Sequence, residues 1–232
     1  MNEYKFKIVR WPQLIGWMYI LCIGCGADKL PLPSEMENNY QEISETQQQD
    51  LPSEYHILFI GNSLTYTNNL PELVGMEGAK NGISLGVHSI AKPNYAIVDH
   101  WSEGEVQGLI NTGKYDYVII QQGPSSQEDG YDMLVNEGKK YAEICEANGS
   151  ELAYFMVWPS MNYYHTFDGV IGNYSAGARA NKAILCPVGL VWKNHFEDTG
   201  DFSYYGPDGF HPSLKGSQIA AEVILSSLFN ID

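Results

Sequence analysis

The sequence predicts an α/β fold with a mostly parallel sheet covered by helices on both faces. Short, nearly continuous apolar runs recur from His56 onward, turn formers end them, and stretches with helical spacing of apolar residues separate them. A strand buried on both faces has no wet side to alternate with, so runs such as Val118-Ile119-Ile120 fit a parallel sheet.

The N-terminal part stands apart from this pattern. Lys5, Lys7 and Arg10 precede an apolar run from Leu14 to Ile23, the layout of a secretory signal peptide and too short for a membrane span. Leu21-Cys22-Ile23-Gly24-Cys25 resembles a bacterial lipobox, which implies a signal over 1–24 and lipidation of Cys25. Gly26 rather than Asp follows that cysteine, and by resemblance to Gram-negative lipoproteins this implies the outer membrane. Residues 25–53 are acidic, polar and broken by Pro31, Pro33 and Pro52, with too little apolar surface to order themselves. They read as a flexible tether between the lipid and a domain over 54–232.

Within that domain, His56 to Ile60 is an apolar strand ended by the turn signal Gly61-Asn62, and Ser63 looks like the start of a helix. Ser84 to Ile90 and Tyr115 to Gln121 are the next strands. Leu134, Gly138, Tyr141 and Cys145 fall on one helical face. Leu152 to Trp158 is a buried strand stopped by Pro159; a helix over Ala176 to Ala183 and a strand over Ile184 to Val188 follow. Ile219, Val223, Ile224 and Leu228 mark a last amphipathic helix entered through Pro212 and Ser213.

Composition narrows the function. A chain that is 44% hydrophobic and 12% aromatic is globular, and 232 residues suffice for one sizeable core. The formal charge of −15, with no basic cluster outside the signal, disfavours nucleic acid, whose binding rests on neutralising phosphates. Cys145, on an apolar helix face, and Cys186, at the end of an apolar stretch, read as buried free thiols, although an oxidising compartment also permits their pairing. Neither has the neighbours of a thiol nucleophile or a zinc site.

Two motifs carry chemistry. Ser63 lies at the carboxyl end of the first strand, where a parallel sheet presents its functional groups. A serine after Gly-Asn is also an ordinary helix N-cap. His211 follows Asp208 by three residues in a turn-rich stretch with Gly206, Pro207, Gly209 and Pro212, so a tight turn brings the carboxylate back to the imidazole. Together they supply a hydroxyl, a base and a carboxylate to orient the base. No Gly-x-Ser-x-Gly elbow, metal-ligand motif or phosphate-binding glycine loop occurs. Asp99-His100 reads as surface or core polarity, and His165 and Trp158 as packing residues near the rim of a site.

The stretch from Ile57 to Pro71, centred on Gly61-Asn62-Ser63-Leu64, and the stretch Tyr205-Gly206-Pro207-Asp208-Gly209-Phe210-His211-Pro212-Ser213 resemble the SGNH, or GDSL, hydrolase superfamily, especially its secreted bacterial branch. The likeness runs from about Tyr55 to Phe229. It implies a flavodoxin-like three-layer α/β/α sandwich with a five-stranded, mostly parallel sheet, no cofactor and no metal, and ester hydrolysis through an acyl-enzyme. Ser63 matches the nucleophile, His211 the base and Asp208 the orienting carboxylate. The family's oxyanion hole combines the nucleophile's N–H, a glycine N–H after the second strand and an asparagine side chain after the third. Here the second-strand segment is Ala91-Lys92-Pro93-Asn94, so Asn94 takes the glycine's place. After the third strand come Gln121-Gln122-Gly123-Pro124-Ser125; Gly123 matches a family glycine, while Ser125 or Gln121 stands in for the asparagine.

The expected function is hydrolysis of carboxylic esters, with acyl groups on carbohydrate as the preferred class, by a lipid-anchored extracytoplasmic enzyme. The alternative is a surface glycan-binding lipoprotein that keeps the fold and has lost catalysis, favoured by the altered segments at Pro93-Asn94 and Ser125.

Overall fold

The computed structural model describes residues 55–231. The expected signal over 1–24, Cys25 and the expected tether over 25–53 lie outside the described residues. The chain alternates strand and helix: β1 (Tyr55–Gly61), a single helical turn α1 (Ser63–Tyr66), a 3-10 turn (Thr67–Asn69), α2 (Leu70–Lys80), β2 (Leu85–Ala91), α3 (Ile97–Glu103), α4 (Glu105–Ile110) and β3 (Tyr117–Ile120). Then come α5 (Glu128–Asp132), a π turn (Met133–Glu137), α6 (Gly138–Ala147), β4 (Glu151–Phe155), a 3-10 helix (Met161–Thr166), α7 (Phe167–Ala180), β5 (Ile184–Cys186), α8 (Val188–Thr199) and α9 (Leu214–Phe229).

The five strands form one parallel sheet in the order β2-β1-β3-β4-β5. Ile57 pairs with Val87 on one side and Tyr117 on the other, Tyr117 pairs with Glu151, and Ala153 with Ile184. The chain leaves β1 in one direction to make β2 and then crosses to the other side for β3. With right-handed crossovers this puts α2 on one face and α3 to α7 on the other. Helix α9 packs against α2 and β5, completing the first layer. The result is a three-layer α/β/α sandwich. Ile57, Leu58, Phe59 and Ile60 of β1 are fully buried between the layers, at about 1.5–3 kcal/mol of burial free energy each.

Because every strand points the same way, Gly61, Ala91, Ile120, Phe155 and Cys186 end at one edge of the sheet. The strand order reverses beside β1, which opens a crevice there.

Three boundaries differ from the sequence reading. Strand β4 stops at Phe155, and Met156 to Pro159 continue as buried chain whose Met156 N–H donates to the Cys186 carbonyl. Helix α7 begins at Phe167 rather than Ala176, because Gly169 and Gly177 are close-approach positions against Ser126 and Leu134 rather than breakers. Val188 opens α8 instead of ending β5; Val188, Trp192 and Phe196 form its buried stripe. Cys145 and Cys186 are buried free thiols, each raised to about 12 by burial. Among the described residues no helix is long and apolar enough to cross a membrane.

Candidate active site

The Gly61-Asn62-Ser63 motif is a tight exit from β1. Gly61 has no room for a side chain: a Cβ there would collide with Thr65 Oγ1 and Gln121 Oε1. Asn62 caps α1, its Oδ1 accepting the Leu64 N–H at 3.1 Å, while its Nδ2 donates to the Tyr95 carbonyl at 3.1 Å. The capping role considered for Ser63 therefore belongs to Asn62. Ser63 takes the first helical position with its hydroxyl free to face another partner.

That partner is on the far side of the sequence. The chain from Tyr205 to Pro212 folds back on itself, with Gly206 N–H donating to the His211 carbonyl at 2.7 Å and an antiparallel bridge joining Tyr205 to Pro212. Gly209 sits at φ +68°, a left-handed conformation that closes the turn at little cost for glycine. Asp208 Oδ1 accepts the N–H groups of Phe210 and His211, each at 2.9 Å, and Oδ2 accepts from His211 Nδ1 at 2.6 Å. The His211 ring first, and then the Phe210 N–H, hold the Asp208 carboxyl below its ordinary value.

His211 Nε2 lies 3.0 Å from Ser63 Oγ. A carboxylate can only accept, so Nδ1 carries the ring proton and Nε2 is left to accept the Ser63 hydroxyl. Serine, imidazole and carboxylate are thus linked in one line of hydrogen bonds, with charge available to stabilise an imidazolium.

Several side chains outside the motifs hold this line together. Asn68 Nδ2 donates to the Pro212 carbonyl and to Ser217 Oγ, each at 3.0 Å. Trp158 is fully buried, stacks on Trp192 and donates its indole N–H to the Phe210 carbonyl at 2.9 Å. It supports the turn from behind rather than lining its rim. The tandem asparagines Asn68 and Asn69, both in left-handed backbone, are the sequence signal for the first of these braces.

Ser63 opens into a small cavity of about 210 Å³, shared with Asn94, Tyr95, Gly123, Pro124 and Phe210. Asn94, at φ +61°, and Gly123 are therefore beside the hydroxyl. Gln121 and Ser125 are not. Gln121 is buried and bonded within the protein: Oε1 accepts the Asn62 N–H and the Thr65 hydroxyl, each at 2.9 Å, and Nε2 donates to the Gln122 carbonyl at 2.8 Å. Ser125 is buried behind the loop and its hydroxyl donates to the Gly123 carbonyl at 3.0 Å. As oxyanion donors both are corrected: neither lines the cavity at Ser63, and the hydrogen bonds they make run to the loop ends that they shape. Gln122, by contrast, lines the cavity, and its Oε1 accepts the Ile97 N–H at 2.9 Å.

His100 is buried against the back of the motif. Its Nε2 donates to the Gly61 carbonyl at 2.8 Å, Tyr95 packs on its ring, and Nδ1 has no partner among the described residues. Burial lowers its pKa below the ordinary 6.5. Asp99 turns away and accepts the Ala96 N–H at 2.8 Å. His165 lies on an exposed rim beside Tyr163.

No family model matches the sequence, and no curated protein aligns with it significantly. Solved structures do match in shape. A protein from Slackia heliotrinireducens assigned as an SGNH hydrolase is 20% identical over 75% of this chain and 98% of its own, with a TM-score of 0.61. A lipase/acylhydrolase from Enterococcus faecalis is 14% identical over 75% and 95%, with a TM-score of 0.61. A variant of Axe2, an acetyl-xylooligosaccharide esterase from Geobacillus, is 15% identical over 76% and 95%, with a TM-score of 0.61. This sheet, its helical layers and their order give the chain the fold of the SGNH/GDSL hydrolases.

Proposed function

We propose that the protein is a serine esterase of the SGNH type that removes acyl groups from carbohydrate. The observation that carries this reading is the continuous line from Asp208 through His211 to Ser63, at 2.6 and 3.0 Å. In the proposed reaction His211 Nε2 takes the Ser63 proton as Oγ bonds to the acyl carbon. The carbonyl oxygen becomes an oxyanion facing the Asn94 and Gly123 side of the cavity. The tetrahedral intermediate then expels the alcohol oxygen, which takes the proton from His211 and leaves an acyl-Ser63 ester. Water, deprotonated by the same imidazole, attacks that ester; the acid departs and Oγ recovers its proton. Asp208 keeps its charge throughout and steadies the imidazolium.

The small cavity at Ser63 supports a short acyl group such as acetyl. Carbohydrate as the alcohol is supported by neighbours in fold described as an acetyl-xylooligosaccharide esterase and an acetyl xylan esterase. Lipid anchoring through Cys25 and an outer-membrane location belong to the same proposal and would bring such an enzyme to extracellular glycans.

Ser63→Ala is expected to lower kcat for vinyl acetate by about 10⁴-fold or more while leaving the fold intact. A fluorophosphonate probe is expected to label the wild-type protein at Ser63 only. Turnover retained in Ser63→Ala, or no labelling of the wild type, defeats the proposal; glycan binding without labelling would instead support the non-catalytic alternative.

A further inference from the structure

Beside the Ser63 cavity lies a larger groove of about 590 Å³, and the two share Pro124 and Phe210 as a common wall. We propose that this groove seats the alcohol half of the ester, and that this half is a neutral sugar unit. The proposal rests on the esterase reading above, including its carbohydrate alcohol, and adds where that leaving group lies and that it is uncharged.

The direction follows from proton traffic. The departing oxygen has to receive its proton from His211, so the alcohol leaves on the side of the turn that carries that residue. Phe210, the residue just before His211, is the one that faces the groove. On the other flank the same turn is joined to the 3-10 helix Met161–Thr166, where the Met161 N–H donates to the Gly209 carbonyl at 2.8 Å. That helix brings Tyr163, His165 and Thr166 to the groove. The opposite bank, Ser126 and Gln127 after β3, is fixed from α7: Asn173 Nδ2 donates to the carbonyls of Ser125 and Gln127 at 3.0 and 2.9 Å. Both banks are therefore formed before a ligand arrives, as a specific small-molecule site requires.

The class of alcohol follows from the lining. Tyr163 is 63% exposed and, with Phe210 and Pro159, offers apolar surface; Ser126, Gln127, Ser160 and His165 offer hydrogen-bonding groups around it. A sugar ring has that same duality, an apolar C–H face edged by hydroxyls. Among the described residues neither cavity is lined by Lys, Arg, Asp or Glu. A phosphorylated alcohol, whether a phospholipid headgroup or coenzyme A, would find no cation to meet it, on a chain whose formal charge is −15. A long acyl chain would have to lie among the polar groups named above, leaving them without water or partners.

The test compares two acetate esters by acetic acid release: vinyl acetate, whose alcohol is too short to reach the groove, and an acetylated xylo-oligosaccharide. Tyr163→Ala is expected to lower kcat/KM for the sugar ester by about 10-fold or more, equivalent to ~1.4 kcal/mol of binding, and by a clearly smaller factor for vinyl acetate. Gln127→Ala is expected to change the ratio in the same direction. Equal losses on both esters, or none on the sugar ester, overturn the proposal, as does a Tyr163→Ala effect that grows with acyl length in a vinyl ester series. A second readout needs no turnover: Ser63→Ala protein is titrated with deacetylated xylo-oligosaccharide and the His165 ring signals are followed by NMR. Saturable shifts that Tyr163→Ala abolishes support the groove even if the wild type hydrolyses nothing, in which case the esterase reading alone fails. Unmoved signals overturn the groove even if vinyl acetate is turned over.

Discussion

The Asn68 side chain donates to the carbonyl of Pro212 at 3.0 Å, so the turn that follows Ser63 is fastened directly to the residue that follows His211. Ser217, on the first part of α9, accepts from the same amide. One side chain thus sets the spacing between two loops that come from opposite ends of the domain.

Replacing Asn68 by glycine keeps the left-handed backbone and removes both bonds. Loosening the Ser63–His211 approach in this way is expected to reduce kcat by about 10- to 100-fold, since misplacement of reacting groups by about 1 Å costs on that scale. KM should change far less. Steady-state kinetics on a short acetate ester measure the split, and an unchanged kcat would deny Asn68 its role as a positioning residue.

Asp208→Asn removes the acceptor that holds the His211 tautomer, and kcat is expected to fall by about 10⁴-fold. The variant also tests the sign of the linkage. The folded protein depresses the Asp208 pKa, so its contribution to stability is present above the ordinary value of 3.8 and disappears as pH falls through the lower folded value. The difference in thermal midpoint between wild type and variant should be constant near neutrality and close below pH 4. A gap that widens in acid would contradict the depressed pKa.

The two asparagine-position candidates and Asn94 separate cleanly. Asn94→Gly, which keeps the left-handed backbone at φ +61°, is expected to lower kcat by about 10²- to 10³-fold if the Asn94 side chain meets the oxyanion, with little loss of stability because the residue is exposed. Gln121→Leu does the reverse of this in origin: it orphans the buried Asn62 N–H and the Thr65 hydroxyl, at about 1–3 kcal/mol each. Denaturant unfolding of both variants beside their kinetics distinguishes a catalytic donor from a structural one.

His100 is expected to make the protein acid-labile. Burial lowers its folded pKa, so the stability associated with the neutral ring is complete above the ordinary 6.5 and is lost as pH falls through the lower folded value. Thermal midpoints followed downward from pH 7 should decline in the wild type and decline less in His100→Gln, whose amide retains a donor for the Gly61 carbonyl. Parallel curves for the two proteins would remove His100 as the cause.

Much of this architecture is written locally. Ile57 to Ile60 and Val118 to Ile120 are strands because no polar face interrupts them, and the Asp208–His211 turn is legible because its glycine and prolines admit few other paths. Helix α7 is less legible: it carries Gly169, Gly172 and Gly177, weak helix formers, and at Gly169 and Gly177 the helix backbone approaches Ser126 and Leu134 too closely for a side chain. The stripe Val188, Trp192 and Phe196 was present in the residues, but the preceding apolar run concealed where β5 ends. At the site, Ser63, Asp208 and His211 were marked out by type and setting, and the fold brings them together. Gln121 and Ser125 do not reveal whether their donors are free, because that depends on Asn62, Thr65 and Gly123, partners set by tertiary packing.

The hydroxyl and the imidazole that meet at 3.0 Å are separated by 148 positions along the chain. A ribosome therefore makes the serine early and the imidazole that meets it almost last. If Ser63 is the nucleophile proposed above, it stays an ordinary alcohol until α9 has been synthesised and docked, and a half-made or truncated polypeptide would carry no hydrolytic risk to the cell that is producing it.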